Sequence, residues 1–194
     1  MNNKIIEMVS KYQPYNTQEV KDKELILNFL NQFKDVLTRD NIIGHFTTSC
    51  WIVNKSLTKV LCIYHKIYNS WGWVGGHNDG DDNFINVALK EAKEETGLNI
   101  EVLDNEIFAI DVLPVMNHFK KGEFISSHLH LNLTYLCIAD ESEELVLNTD
   151  ETEGVMWIDI NRINDYVSIY DDKMKMIYSK LNEKLFKSQD KYLK

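Results

Sequence analysis

Three glutamates crowd one short stretch of this chain, Glu91, Glu94 and Glu95, in the run Lys90-Glu91-Ala92-Lys93-Glu94-Glu95-Thr96-Gly97-Leu98. On a helix turning about 100° per residue, Glu91 and Glu95 project about 40° apart, and Glu94 lies about 60° from Glu91 on the other side. An idle, solvated helix face would intersperse its signs, with a lysine four residues after a glutamate. Here Glu95 takes that position after Glu91, a mildly unfavourable pairing. Carboxylates gathered this closely repel one another unless a cation sits among them. Hard oxygen donors of this kind suit Mg²⁺, whose coordination shell is often completed by substrate phosphates.

The residues ahead of the helix extend the pattern: Gly75-Gly76-His77-Asn78-Asp79-Gly80-Asp81-Asp82. Gly75 and Gly76 permit backbone geometries that a Cβ would block, and a carbonyl exposed there is a further oxygen ligand. Asp79, Asp81 and Asp82 bring carboxylates to the start of the helix, and Asp82 suits its positive end. A calcium loop of the EF-hand type does not fit. With Gly80 as its central glycine, the first and last ligand positions would be Gly75 and Asn86, neither of which serves.

The elements that must hold these residues follow from periodicity. Residues 83–96 read as a helix closed by Gly97, with Ile85, Ala88, Leu89 and Ala92 on a face beside the glutamates. Residues 46–53 and 59–66 are apolar, β-branched runs split by Asn54-Lys55-Ser56, a hairpin signature. Residues 71–74 form a short strand ending at the glycine pair, and further strands are expected at 107–113, 129–139 and 155–158. In 129–139, Leu129, Leu131, Leu133 and Tyr135 alternate with His130, Asn132 and Thr134, which predicts one apolar and one polar face. Helices are expected at 17–37, with Thr17 as N-cap, and at 171–187, with a shorter one before Pro14. Interleaved strands and helices of this kind predict an α/β sandwich around a mixed sheet.

Composition narrows the function. A chain of 194 residues that is 44% hydrophobic supports one domain with a sizeable core. A formal net charge of -9 argues against stable nucleic-acid binding, which needs clustered basic residues. A nucleotide substrate stays open, because bound cations reverse the local field. The three cysteines, Cys50, Cys62 and Cys137, each lie in an apolar run and form no CxxC pair, which speaks against a disulfide framework or a zinc site built on them. The start of the chain carries no apolar signal core, and no stretch approaches the ~18 apolar residues of a membrane span. The expected location is the cytoplasm.

The segment from Gly76 to Leu98 resembles the Nudix box, G-x5-E-x7-R-E-U-x-E-E-x-G-U with U aliphatic. Gly76, Glu91, Glu94, Glu95, Gly97 and Leu98 match at the family spacing, and Ala92 fills an aliphatic position. Asp82 stands in place of the first glutamate and Lys90 in place of the arginine. Lys90 keeps the charge but loses the planar bidentate fork. The similarity continues through His65-Lys66 and Trp71 before the box, and through His128-Leu129-His130 and Glu151-Thr152-Glu153-Gly154 after it, spanning about residues 45 to 165. It implies a Nudix-like α/β/α sandwich over residues 41–194, with residues 1–40 as a helical extension packed on the same core.

The resemblance also implies an activity: metal-dependent hydrolysis of a pyrophosphate linkage in a nucleoside diphosphate derivative or related organic diphosphate. Mg²⁺ or Mn²⁺ would be held by Glu91, Glu95 and Glu94 with the Gly76 carbonyl. The general base would be Glu94 or Glu153. His77, His128 and His130 are candidate contacts for the small phosphorylated substrate, and Asp82, Lys90 and Gly97 support the box. Lys120 and Lys121, read as a loop, could also meet a phosphate. Trp71 and Trp73 read as core before they read as a stacking platform. A homodimer is compatible with the sequence. Two other readings stay open: a Nudix-like ligand-binding or regulatory domain without turnover, and chemistry like that of isopentenyl-diphosphate isomerase, which calls for a cysteine and a further His/Glu metal set in the cleft.

Overall fold

Strand β1 (Gly44–Asn54) runs through the middle of the sheet, and all of its residues are buried. Covered on both faces, it reads in sequence as a near-continuous apolar and β-branched run rather than an alternating one. The computed structural model describes residues 2–66, 69–120, 122–147, 152–169 and 171–192. Ahead of β1 lie α1 (Asn2–Lys11) and α2 (Thr17–Gln32); after it come β2 (Lys59–His65), β3 (Ser70–Gly72), β4 (Val74–His77), α3 (Phe84–Thr96), β5 (Glu101–Val102) and β6 (Ala109–Val115). A small hairpin, β7 (His118–Lys120) and β8 (Glu123–Ile125), precedes the long β9 (His128–Ala139). The chain closes with β10 (Thr152–Asp159), a 3₁₀ turn, the short α4 (Ile163–Tyr166) and α5 (Asp172–Tyr192).

The main sheet runs β10-β2-β1-β9-β5, with β3 on β2, β4 on β1 and β6 on β9. The β1–β9 pair is parallel and the other pairs are antiparallel, so the sheet is mixed. Alternate residues of β1 feed two separate cores. Phe46, Cys50 and Ile52 join Ile5, Val9, Ile26, Leu30, Ala88 and Ala92 on the side of α1, α2 and α3. Trp51 and Val53 join Trp73, Tyr178, Leu181 and Leu185 on the side of α5. This is the expected α/β/α sandwich, and the N-terminal helices share a core with the sheet. No helix among the described residues is long and apolar enough to cross a membrane.

A buried ionic cluster ties α2, β6 and α5 together. Lys180 Nζ lies 3.1 Å from Glu19 and 2.6 Å from Asp111, with all three side chains almost wholly buried. Tyr12 donates to Glu19 at 2.6 Å, and Lys184 lies 3.4 Å from the same carboxylate. Burial alone would raise the Glu19 pKa, but Lys180 and Lys184 outweigh it and hold the carboxyl below its ordinary value. At Asp111 burial wins over Lys180, helped by Glu19 and Asp22, and the pKa rises to about 6.

Several expectations need correction. The N-cap of α2 is Asn16, not Thr17; its side chain accepts from the Glu19 N–H at 2.9 Å. That helix ends at Gln32, and Leu37 is buried in the turn that follows. Residues 71–74 are not one strand: Gly72 ends β3, and β4 begins at Val74 and runs through both glycines to His77. Lys120 sits in the β7–β8 hairpin rather than a plain loop. The expected polar face of β9 is present, and part of it is buried. Asn132 and Thr134 are buried, and the Asn132 carbonyl oxygen accepts from both Thr47 and Ser49 at 2.9 Å. Lys121 and Glu151 lie outside the described residues.

Candidate active site

Strand β4 and helix α3 position the carboxylates. The helix starts at the side chain of Asn83, which accepts from the Asn86 N–H at 3.3 Å, and ends on Gly97 at φ 75, a left-handed conformation that suits glycine. Cys50 on β1 lies 3.4 Å from the Ala88 carbonyl, so α3 packs directly on the sheet. Glu95 is buried, and one of its oxygens accepts the Gly75 N–H at 3.2 Å. The Glu91 carboxylate lies over Gly76, where a Cβ would come within 2.3 Å of it. Side-chain-free backbone at Gly76 is therefore what allows the strand and the carboxylate to meet.

The third glutamate behaves differently. Glu94 is about half exposed, and Lys90 lies 3.9 Å from it. At that length the pair is one loose contact rather than an orienting fork. Asp82 is drawn to Lys4 of α1 at 3.4 Å. Asp79 accepts from Nε and Nη2 of Arg39, at 2.9 and 2.7 Å. Asp81 accepts from the Asn83 N–H at 2.8 Å. The loop carboxylates thus anchor the start of α3, while Glu91 and Glu95 face the glycine strand. Glu153 lies exposed on β10, which pairs with β2 at the outer side of the sheet, whereas β4 pairs with β1.

The histidines gather elsewhere. In the β1–β4 pairing Thr48 is opposite Gly76 and Thr47 opposite His77. Paired residues share a face, so His77 points away from the face that carries Glu91. His45 on β1 pairs with His130 on β9, and His128 follows on the same face. The rings of His45, His77, His128 and His130 stand 4.8 to 5.1 Å apart, centroid to centroid, in every pair they form. Burial, followed by the charge of Arg39, lowers the His77 pKa to about 3; burial, followed by neighbouring His77, takes His130 to about 2. His45 is lowered too, chiefly by burial. Of these four, His45 was not a candidate from the sequence, because only the pairing of β1 with β9 brings it to the others.

The family model for the NUDIX domain matches residues 45–177. The chain belongs to the Nudix family. Solved Nudix proteins share its fold at low identity. A NUDIX-family hydrolase from Clostridium perfringens is 22% identical with a TM-score of 0.51, covering 73% of this chain and 97% of that one. An Ap4A hydrolase from C. elegans, solved as a binary complex, is 16% identical with a TM-score of 0.52, covering 75% and 97%. The NUDIX domain of NrtR from Shewanella oneidensis, complexed with ADP ribose, is 14% identical with a TM-score of 0.51, covering 81% and 97%. No curated protein matches the sequence significantly. Nudix hydrolases cleave pyrophosphate linkages and generally use a divalent metal, and this chain is of that enzyme class with the box glutamates in place.

Gly76 and Gly97 flank the carboxylates, one cleared for Glu91 and the other closing the helix. The three cysteines lie within the packed interior rather than at a surface. All are buried, Cys137 and Cys50 lie 3.2 Å apart inside the sheet, and burial pushes the Cys62 thiol up. That placement argues against the isomerase-like reading.

Proposed function

We propose that this Nudix enzyme hydrolyses a pyrophosphate linkage in a nucleoside diphosphate derivative or related organic diphosphate, using Mg²⁺ or Mn²⁺. The observation that carries the reading is the Glu91 carboxylate resting on Gly76 while Glu95 is pinned by the Gly75 N–H. The donor set fits a hard divalent cation, being carboxylate and carbonyl oxygen without sulfur or nitrogen. Glu91, Glu95, Glu94 and the Gly76 carbonyl would hold it. A bound ion of this kind neutralises phosphate charge and makes a water acidic enough to attack.

The chain's own residues do the rest. The Gly75 N–H fixes the orientation of Glu95. Glu94, half exposed beside Lys90, is the first candidate for the base that takes the proton of the attacking water, and Glu153 is the second. His77, His128 and His130 are candidate contacts for any part of the substrate that extends past Gly76 around β4. We further read residues 1–40 as a helical extension to a Nudix unit spanning 41–194.

The test is phosphate release over a panel of nucleotide sugars, dinucleoside polyphosphates and damaged nucleotides, with and without Mg²⁺. Glu95→Gln keeps a carbonyl oxygen for the Gly75 N–H but loses the charge. It should cut turnover at least about 100-fold, the order lost when a reacting group is misplaced. No turnover on any member of the panel, at any concentration of Mg²⁺ or Mn²⁺, would overturn the hydrolase reading in favour of a ligand-binding Nudix domain.

A further inference from the structure

The histidine cluster has features that packing does not require. His45 is almost wholly buried, yet its Nε2 has no hydrogen-bond partner. A buried polar nitrogen left unpaired forfeits its hydration without compensation. Its other nitrogen, Nδ1, lies 3.2 Å from the Asn41 carbonyl oxygen. A carbonyl only accepts, so Nδ1 carries the hydrogen and Nε2 presents a lone pair. His128 repeats the arrangement, with Nδ1 lying 2.8 Å from the Ser126 carbonyl oxygen. A backbone carbonyl that fixes the tautomer and turns the opposite nitrogen outward is the usual support of a metal-binding imidazole.

The ring nitrogens converge, and His130 Nε2, which donates to the His128 Nε2 lone pair in the absence of an ion, would shift its hydrogen to Nδ1 to bind one. One ring nitrogen from each of His45, His128 and His130 falls within 4.8 Å of the other two. His128 Nε2 and His130 Nε2 lie 3.2 Å apart. An ion about 2.05 Å from each nitrogen would subtend about 103° across that 3.2 Å gap, close to the about 109° of a tetrahedron, and binding would draw the wider pairs in to about 3.3 Å. We infer that His45, His128 and His130 form a second metal site, distinct from the box glutamates, that takes a borderline divalent ion of the zinc type.

The chemistry of the two sites separates their ions. Imidazole nitrogen suits zinc, nickel and copper, whereas carboxylate and carbonyl oxygen suit magnesium and manganese. Alternation along β4 sets Gly76 and His77 on opposite faces of one strand, so the sites stand back to back rather than sharing ligands. Arg39 is the cation that would most oppose an ion here, and Asp79 already neutralises it through two contacts. His77, whose ring meets that of His130 edge-on, walls the cluster on the β4 side. Three protein ligands leave a fourth position for water or an anionic oxygen. Because β1 and β9 supply all three, the ion would also pin the parallel pair at its open end.

The experiment uses the tag-free full chain, stripped with chelator, dialysed against Zn²⁺ and analysed for bound metal, with a parallel Co²⁺ titration read by visible absorption. Wild type should retain about one Zn²⁺ per chain and give the intense visible bands of four-coordinate Co²⁺. His45→Asn and His130→Asn should each lose both signals, while Glu91→Gln and Glu95→Gln keep them. Should His45→Asn fail to fold by circular dichroism, His128→Gln, at a half-exposed position, carries the same test. Three results would overturn the site: no Zn²⁺ retained by wild type, Zn²⁺ unaffected by folded histidine variants, or Zn²⁺ lost in the glutamate variants instead. Inorganic phosphate that binds wild type without Zn²⁺, and is lost in the histidine variants, would likewise overturn it by showing an anion site. None of these readouts depends on hydrolysis, so failure here and failure of the hydrolase reading are separable.

Discussion

At Gly76 a single hydrogen in place of a methyl group decides whether Glu91 can approach the strand. A Cβ there would meet the carboxylate at 2.3 Å, and that carboxylate is the far end of a flexible side chain. Gly76→Ala should therefore fold with near-normal stability but lose about 100-fold in turnover, since displacing a catalytic group by about 1 Å has that order of cost. Urea denaturation beside a phosphate-release assay checks both halves. Gly75→Ala should differ, because its Cβ would strike the Thr48 carbonyl oxygen at 2.4 Å and the Ser49 backbone, which cannot step aside. The box residues were readable in sequence because their geometry is local: one turn of strand and a few turns of helix contain them all. His45 was not, since its partners lie about 85 residues away and meet it through the β1–β9 pairing alone.

Among the elements, α3 depends on how it stops. Gly97 closes it at φ 75, and a Cβ there would sit 2.6 Å from the Cβ of Val146. Gly97→Ala combines a left-handed strain of about 1–3 kcal/mol with that collision. Thermal melting should show a clear loss of stability, and a second change, Val146→Ala, should recover only the part due to the Cγ2 contact at 2.8 Å, because alanine keeps the Cβ that lies 2.6 Å away. Long elements were legible from periodicity, and α3, β1, β2 and β9 lie within a few residues of expectation. Short ones were not. β3 and β4 are separated by a single residue, Trp73, and the two-residue β5 has too few positions to show a period. The burial of β9's polar face was not legible for a different reason: alternation marks which residues share a side, but not whether that side is wet. Asn132 holds Thr47 and Ser49 in a dry network that sequence spacing cannot reveal.

For the whole molecule, the Glu19–Lys180–Asp111 cluster links helices from the two ends of the chain. Its members are far apart in sequence, so none stood out there, and it explains how the N-terminal helices are bonded to the rest. Asp111 titrates near pH 6 when folded, against an ordinary value of 3.8. Its folded-state pKa is raised, so the stability it contributes is fully present below the unfolded value and is lost as pH rises through the folded one. Urea denaturation of wild type and Asp111→Asn at several pH values reads this directly. The advantage of wild type should shrink by up to about 1.4 kcal/mol per pH unit between about pH 4 and about pH 6. An advantage that grows over that interval would contradict the assignment.

The parallel pairing of β1 with β9 also sets a timetable. β1 is complete by Asn54, but its parallel neighbour ends at Ala139, with Gly44 awaiting Leu129 and Asn54 awaiting Ala139. At a synthesis rate of about 5–20 residues per second, that gap lasts about 4 to 17 s. During that time one whole flank of a strand whose every residue is buried in the folded protein stands unpaired as it leaves the ribosome. The newborn chain is then most exposed to misassociation, and a chaperone that grips extended apolar segments would find β1 as its handle.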